Sequence, residues 1–317
     1  MLSELPEVWA EAVRGWRERN EPHRRGGTPI HPKDEYTLYQ GLVGAWPLDL
    51  APDDRDGLAE LRQRIEGWQI KALREGKERS DWNSPDTAYE EALTGFIGTL
   101  LDPARARDFL ADLAAFVRRI APAGVANSLT QLALKLTVPG VPDIYQGTEL
   151  WDLSLVDPDN RRAVDFARRA ALLDQGTAPA EAARSWSDGA VKHALLTRLL
   201  AVRKRLPSLF ADGSYQPLRV EGERAEHVLA FIRRRGDAAA IVVLGRRFAG
   251  LLGGSDRPAP PASAWGDTTL LLPHVGASTR PLDDALAGGS IQVEEDRLPV
   301  AKLLRDLPVA LLTTGSP

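Results

Sequence analysis

The pattern of apolar residues changes near Pro207, and this change limits the folds open to the chain. Before it, apolar residues recur at spacings of three and four, which predicts amphipathic helices. After it, the apolar segments become short and β-branched, with Gly, Asp and Pro clusters between them, which predicts strands. At 317 residues the chain has room for two domains. We predict a mainly helical domain over 1–207 and an all-β domain, a small sandwich, over 208–317.

Capping and breaking residues define several of the predicted elements. Asp86 is a candidate N-cap, Pro103 a helix start, and Pro139-Gly140 a helix stop. The predicted helices include 58–76, 87–100, 103–120, 129–136, 160–173 and 188–206. The predicted strands are 141–145, 217–220, 227–232, 239–244, 268–272 and 309–312. A helix that leads into a short apolar strand and then a polar loop, as at 129–145, is typical of a barrel or a doubly wound sheet.

Composition excludes several classes of function. The net charge is −4 with scattered basic residues, so nothing indicates a nucleic-acid partner. No apolar run approaches the roughly 20 residues that span a bilayer, and the first residues do not resemble a signal peptide. The chain has no cysteine, which excludes disulfides and thiolate chemistry and fits a cytoplasmic protein. We interpret the basic run Arg203-Lys204-Arg205 as a solvated helix end.

The sequence predicts no metal site and no cofactor. The five histidines show neither the HxxxH nor the HExxH spacing of zinc sites. They are His23, His31, His193, His227 and His274. No phosphate-binding glycine motif and no GxSxG elbow is present.

The motif that says most about function lies at residues 138–166. Val138–Leu150 contains Pro-Gly-x-Pro-x-x-Tyr-x-Gly-x-Glu, and 157–162 reads Asp-Pro-Asp-Asn-Arg-Arg. The first resembles the last barrel strand of the α-amylase superfamily, and the second resembles the loop after that strand. The wording Asp-Ile-Tyr-Gln-Gly-Thr-Glu-Leu-Trp is closest to one branch, the maltooligosyl trehalose synthases. Ala163 departs from the proline that is usual there, with little expected consequence.

Other segments resemble the same family in the same order along nearly the whole chain. They are 33–40, 44–47, 80–85, 89–90, 209–210, 213–215 and 227–231. The resemblance implies an α/β plus β fold class: the C-terminal part of an α-amylase-type (β/α)8 barrel with a helical insertion, followed by a small β-sandwich domain. It also implies a glucosylmutase that converts the reducing-end α-1,4 linkage of a maltooligosaccharide into α,α-1,1.

Because active sites of such barrels lie on loops after the strands, the polar residues after the predicted strand are candidate substrate ligands. They are Gln146, Glu149, Asp157, Asp159, Asn160, Arg161 and Arg162. Carboxylate, amide and guanidinium groups can form paired hydrogen bonds with vicinal hydroxyls. A structural ion-pair network of Asp157, Asp159, Arg161 and Arg162 is an equal alternative. Trp82 and Trp46 are candidates for stacking on glucose, and core packing is as good an explanation for each.

Retaining glycoside chemistry needs two opposed carboxyl groups, and we assign no catalytic residue in this chain. In the family the resemblance points to, the carboxylates follow earlier strands, so we expect them upstream of Met1. A partner carrying the N-terminal part of the barrel is then expected beside the maltooligosaccharide substrate. The alternative is a non-catalytic glucan-binding or scaffold module.

Overall fold

The computed structural model describes residues 2–24, 28–273 and 281–314. Within it the chain forms two compact units. The helical unit contains residues 2–119 and 153–163, and the mixed unit contains residues 120–152 and 164 onward. The two units are defined only by which residues lie close together in space. The predicted division into 1–207 and 208–317 stays a prediction.

The helical unit consists of four complete helices and the first part of a fifth. They are α1 (Pro6–Arg19), α2 (Pro32–Ala45), α3 (Arg55–Gly76), α4 (Thr87–Leu100) and α5 (Arg107–Thr137). Side chains cap several N-termini: the carboxylate of Asp86 accepts from the amide of Tyr89 at 3.0 Å, as predicted. The core centres on rings whose centroids lie 5.4 to 6.0 Å apart. These rings are Trp9, Trp16, Tyr39, Phe109 and Phe116.

The predicted break between two helices near residue 120 is wrong, because α5 is one helix of 31 residues. It starts at Arg107, four residues after Pro103, and passes through Pro122 without ending. A proline in a helix leaves the carbonyl four residues earlier unpaired. That carbonyl belongs to Arg118, an exposed residue, so water can replace the lost bond. The predicted stop at Pro139-Gly140 agrees with the end of α5 at Thr137.

The mixed unit holds the rest of α5, six further helices and all the strands of the described residues. The helices are α6 (Phe166–Gln175), α7 (Pro179–Ala182), α8 (Ala190–Arg205), α9 (Pro207–Asp212), α10 (Phe248–Leu252) and α11 (Val300–Leu303). The strands are β1 (Ser214–Pro217), β2 (Val220–Glu221), β3 (Val228–Arg235), β4 (Ala238–Gly245), β5 (Thr269–Leu271), β6 (Leu282–Asp284), β7 (Ser290–Ile291), β8 (Arg297–Pro299) and β9 (Val309–Thr314).

The strands form two antiparallel sheets. One has the order β1-β3-β4-β9-β6-β7 and the other the order β2-β5-β8. One face of the larger sheet shares a core with the smaller sheet, and the opposite face packs on α8, α9 and the end of α5. Burial on both faces explains why β4 reads as an unbroken apolar run instead of an alternating one. The predicted β-sandwich is not confirmed, since helices cover one side of the large sheet.

Arg233 on β3 is a fully buried cation in this core. Its guanidinium donates to the carbonyl oxygens of Thr137, Ser214, Leu209, Phe210 and Gly213 at 2.9 to 3.3 Å. Thr137 is the last residue of α5, Leu209 and Phe210 lie in α9, and Gly213 directly follows α9. Unpaired carbonyls at helix C-termini carry partial negative charge, so the guanidinium satisfies two helix ends at once.

Two segments differ from the sequence prediction. Residues 141–145 form no strand, and Val141 is 98 % exposed. An extended segment becomes a strand only by pairing, and no described strand pairs with it. The predicted helix at 160–173 is instead a short 3₁₀ turn at Asp159–Arg161, a non-helical stretch, and then α6. The predicted barrel is not confirmed.

Two further observations concern particular helices. Arg203 is not simply solvated, since it donates to the carbonyl of Leu136 at 2.6 Å and lies over the ring of Phe210. Within the described ranges, we find no helix whose length and apolar content would let it cross a membrane.

Candidate functional site

The structure distributes the predicted site residues over both units. Gln146 and Glu149 lie in the mixed unit, on a turn that follows residues 141–145. The other seven lie in the helical unit: Trp46, Trp82, Asp157, Asp159, Asn160, Arg161 and Arg162. Each of the two groups is held in place by contacts within its own unit.

Arg169 on α6 fixes the turn at residues 146–149. Its Nε donates to the carboxylate of Glu149 at 2.7 Å, one Nη to the carbonyl of Gly147 at 2.5 Å, and the other Nη to the carbonyl of Asp165 at 3.0 Å. Gly147 has a φ of +89°, and a Cβ there would meet Val164 at 3.0 Å. The turn therefore needs both the glycine and the arginine.

The contacts of Glu149 stabilise the charged form of its carboxylate. Burial raises its pKa, but the hydrogen bond from Arg169 and nearby backbone amides outweigh burial and leave the pKa below its ordinary value. Two basic side chains of α8 lie in the same neighbourhood. Burial lowers the pKa of His193 and of Lys192, while the charge of Glu149 opposes both shifts. Glu149 thus serves to anchor the turn, whereas Gln146 beside it is exposed.

Asp159 anchors the second predicted segment, the loop 153–163. Its side chain is 8 % exposed and accepts a bidentate hydrogen-bonded contact from Arg64 on α3. Nε donates to Oδ1 at 3.0 Å and one Nη donates to Oδ2 at 3.1 Å. The amide of Leu155 donates to Oδ2 at 2.7 Å. Burial raises the pKa of Asp159, but Arg64 and the Leu155 amide lower it further than burial raises it. Asp159 is therefore an internal ligand of its own loop.

Asp157 has a looser role. Its carboxylate pairs with Arg161 four residues later and lies 3.5 Å from Nζ of Lys71. Lys71 also donates to the Asp157 carbonyl at 2.6 Å. The Asp157–Pro158 peptide bond is cis. The Asp157 side chain is 42 % exposed although its Oδ1 atom is buried, so only part of the carboxylate is accessible to a ligand.

Among the predicted site residues on this loop, Asn160, Arg161 and Arg162 are exposed. The side chains of Arg161 and Arg162 are 72 % and 55 % exposed. Arg162 donates to Ser154 Oγ at 2.7 Å and lies 3.7 Å from Asp159. Two guanidinium groups and an amide on a held loop can donate several parallel hydrogen bonds to a polyhydroxylated ligand.

The two tryptophans have different environments. Trp46 is 3 % exposed and donates its indole N–H to the carbonyl of Leu50 at 3.3 Å. The prediction that Trp46 stacks on glucose is therefore wrong, because a sugar ring has no access to a core side chain. Trp82 is 55 % exposed, and the guanidinium of Arg74 lies 4.9 Å from its ring centroid. Trp82 stays a candidate for stacking.

Neither anchored carboxylate is suited to act as a general acid. Such a group needs a raised pKa, and the pKa values of Glu149 and Asp159 are both lowered by their arginine partners. Among the described residues, no cluster of three or more His, Asp and Glu side chains could hold a metal ion. His274 lies outside the described residues.

Sequence reasoning missed the cations that hold these loops: Arg64, Lys71 and Arg169. Arg64 and Lys71 are seven residues apart, so they lie on one face of α3 two turns apart. That spacing was visible in the sequence. Their acidic partners were not, because the loop lies 86 to 95 residues further along the chain.

Comparison with known proteins gives one consistent result. A protein of Mycobacterium tuberculosis described as a maltooligosyl trehalose synthase is 33 % identical over 315 residues, which is 98 % of this chain and 34 % of that protein. The maltooligosyltrehalose synthase structure from Arthrobacter ramosus is 34 % identical, with a TM-score of 0.73 over 99 % of this chain and 36 % of its own.

A second maltooligosyl trehalose synthase structure is 27 % identical, with a TM-score of 0.75 over 99 % of this chain and 37 % of its own. No family model matches. The chain thus spans about a third of the length of the relatives that it matches.

Proposed function

We infer that this chain, which matches maltooligosyl trehalose synthases over about a third of their length, is the C-terminal portion of such an enzyme. The whole enzyme would act as an intramolecular transglucosylase on maltooligosaccharides, converting the reducing-end α-1,4 linkage to α,α-1,1. The carboxylates that break and re-form the glycosidic bond would come from the rest of the enzyme. In this proposal the present chain supplies substrate contacts and contributes no catalytic residue.

The observation that carries the proposal is the anchored loop 153–163. The buried carboxylate of Asp159 accepts hydrogen bonds from Arg64 and from the backbone of the loop. This arrangement leaves Asn160, Arg161 and Arg162 exposed on a segment of fixed shape. Exposed donors on a fixed backbone bind a ligand with little loss of conformational freedom, which favours recognition of a flexible glucan.

The test is a reducing-end assay. We would incubate the chain with maltopentaose, alone and together with a polypeptide covering the remaining two thirds of a maltooligosyl trehalose synthase. Formation of an α,α-1,1 linkage consumes a reducing end, so the proposal expects no loss for the chain alone and a steady loss for the pair. Arg161→Ala with Arg162→Ala should raise the KM of the pair.

Two outcomes would contradict the proposal. Loss of reducing ends with the chain alone would mean that a catalytic pair is present here after all. Tight maltopentaose binding by the chain, with no activity in any pairing, would favour the alternative of a non-catalytic glucan-binding module. Calorimetry with maltopentaose distinguishes that case.

We further propose that the rest of the enzyme covers an apolar surface of the mixed unit. The α6 helix has no buried residue, and Phe166 and Leu173, two turns apart on it, are 61 % and 55 % exposed. Val141 and Tyr145 are 98 % and 54 % exposed on the unpaired segment. Large apolar side chains that stay exposed on a helix without buried residues and on a segment without a strand partner support a surface that another polypeptide covers.

This second proposal is tested by charge substitution. Val141→Asp or Phe166→Asp should prevent association with the complementing polypeptide, because a carboxylate would be buried without a partner. Leu200→Asp is the matched control, since Leu200 is an exposed leucine on α8. Equal association by all three variants would show that the proposed surface is not the one that is covered.

A cytoplasmic location, which the absence of cysteine supports, completes the proposal.

A further inference from the structure

We propose that Arg64 is a positioning residue, whose guanidinium sets the shape of the loop 153–163 in which Asn160, Arg161 and Arg162 meet the glucan. The inference deepens the proposed function and rests on it. It gives the helical unit a role: α3 holds a substrate loop that begins 89 residues after Arg64 along the chain.

The guanidinium of Arg64 joins the first residue of the loop, Leu153, to Asp159 in its middle. One Nη donates to the carbonyl of Leu153 at 2.7 Å and also to Asp159 Oδ2 at 3.1 Å, while Nε donates to Oδ1 at 3.0 Å. The same Oδ2 accepts from the amide of Leu155 at 2.7 Å. The Arg64 side chain therefore fixes the distance between Leu153 and Asp159. The backbone between these two residues is held by the bond from the Leu155 amide to the same carboxylate.

Lys71 adds a second hold from the same face of α3. Its Nζ donates to the carbonyl of Asp157 at 2.6 Å and lies 3.5 Å from the carboxylate. The two cations grip the loop at three residues, 153, 157 and 159. All three residues precede the exposed donors at 160–162, so these contacts set the position from which the donors extend.

Burial separates the positioning cation from the binding cations. The side chain of Arg64 is 16 % exposed, and its donors are directed at the loop itself. The side chains of Arg161 and Arg162 are 72 % and 55 % exposed. A helix is a more rigid support than a loop, so donors held by α3 keep their geometry when ligand is absent.

The first arm of the test uses the 317-residue chain. Hydrogen exchange of the Leu155 amide is measured in Arg64→Met and in Arg62→Met, the latter a control because Arg62 is an exposed arginine on the same helix that pairs with Glu66. Arg64→Met should lower the protection of Leu155, and Arg62→Met should leave it unchanged. Equal protection in both variants would overturn the proposal.

The second arm measures KM and kcat for maltopentaose in the complemented enzyme. Misplaced binding groups should raise KM by about tenfold to a hundredfold in Arg64→Met, with a smaller change in kcat, since the loop is proposed to bind substrate and to supply no catalytic residue. Arg64→Lys keeps the charge without the two-pronged geometry and should restore part of the loss. If Arg64→Met fails to fold, Asp159→Asn removes the same ion pair and should raise KM in the same direction.

The outcomes separate this inference from the proposed function. If Arg161→Ala with Arg162→Ala raises KM while Arg64→Met and Asp159→Asn do not, the loop binds glucan and Arg64 does not position it. If the arginine pair has no effect on KM, the binding role of the loop is wrong. Hydrogen exchange of the Leu155 amide then still shows whether Arg64 holds the loop.

Discussion

Strands β3 and β4 and the segment 141–162 use different forces to keep their shape. The strands pair over eight residues, Val228 to Arg235 with Gly245 to Ala238, and bury apolar side chains on both faces. The segment 141–162 has no strand, exposes Val141 and Tyr145, and is held by charged contacts to Arg169, Arg64 and Lys71. Both regions contain short apolar runs that predict strands.

The difference teaches that an apolar run is a strand only in the presence of a partner. Burial of apolar area contributes about 25 cal/mol per Å², and pairing is what makes burial possible for an extended backbone. Without a partner, the segment 141–145 leaves Val141 and Tyr145 exposed, and the polar loop after it relies on directional ionic bonds. We therefore expect the two regions to respond to different perturbations.

The largest expected effect comes from truncating a core side chain in β3. Phe231→Ala removes a fully buried ring and should lower the free energy of unfolding by about 3–5 kcal/mol. Tyr145→Ala, on the exposed segment, should change it by no more than about 0.5 kcal/mol. Chemical unfolding followed by circular dichroism measures both. Similar losses in the two variants would mean that the segment 141–145 is packed in solution.

A second effect tests whether the sheet region also depends on charge. Arg233→Met removes the guanidinium donor from five carbonyls, of which that of Leu209 keeps the Gly213 amide. The substitution should cost about 3 kcal/mol, since each unsatisfied buried acceptor costs about 1–3 kcal/mol and some will find water. Arg235→Met is the control on the same strand, where the exposed arginine pairs with Asp212. Its expected cost is under about 1 kcal/mol. Equal unfolding midpoints for both variants would refute the role of Arg233.

Acid should loosen the charged region before the sheet. The pKa values of Glu149 and Asp159 are lowered in the folded chain, so their contribution to stability is present above the unfolded-state values and is lost as pH falls through the folded ones. Below about pH 4 we expect the Leu155 amide to lose hydrogen-exchange protection, after correction for intrinsic rates, while the amides of β4 keep theirs. Simultaneous loss in both regions would contradict the comparison.

The smallest effect concerns the exposed ion pair of Arg161 and Asp157. Exposed pairs contribute about 0–1 kcal/mol, so Arg161→Ala should shift the free energy of unfolding by under about 0.5 kcal/mol. The same substitution should weaken glucan binding in the complemented enzyme. A stability loss comparable to that of Arg233→Met would show that the residue belongs to the structural network instead.

The sequence predicted the elements that are determined locally. The cap at Asp86, the stop after Thr137 and the apolar runs of β3, β4 and β9 all lie where the pattern indicates. The misses arise from tertiary context. Pro122 is tolerated inside α5, and the strand predicted at 141–145 lacks a partner. The strands β6, β7 and β8 are only two or three residues long, too short to show a period.

For the candidate site, the sequence identified the polar loops but not the role of each residue. Two explanations were open for Asp159, and its contact with Arg64, 95 residues away, favours the structural one. Trp46 and Trp82 are indistinguishable by composition, and only burial separates them. Such distinctions depend on long-range contacts that no local pattern encodes.

The bonding of Arg233 also has a kinetic consequence. Its guanidinium links β3 to the end of α5, 96 residues earlier, and to the end of α9, about 20 residues earlier. Contacts between such distant segments form late, because loop closure must precede them. Interactions absent from the folding transition state act mainly on the unfolding rate. Arg233 should therefore govern how long the folded chain lasts more than how quickly it forms.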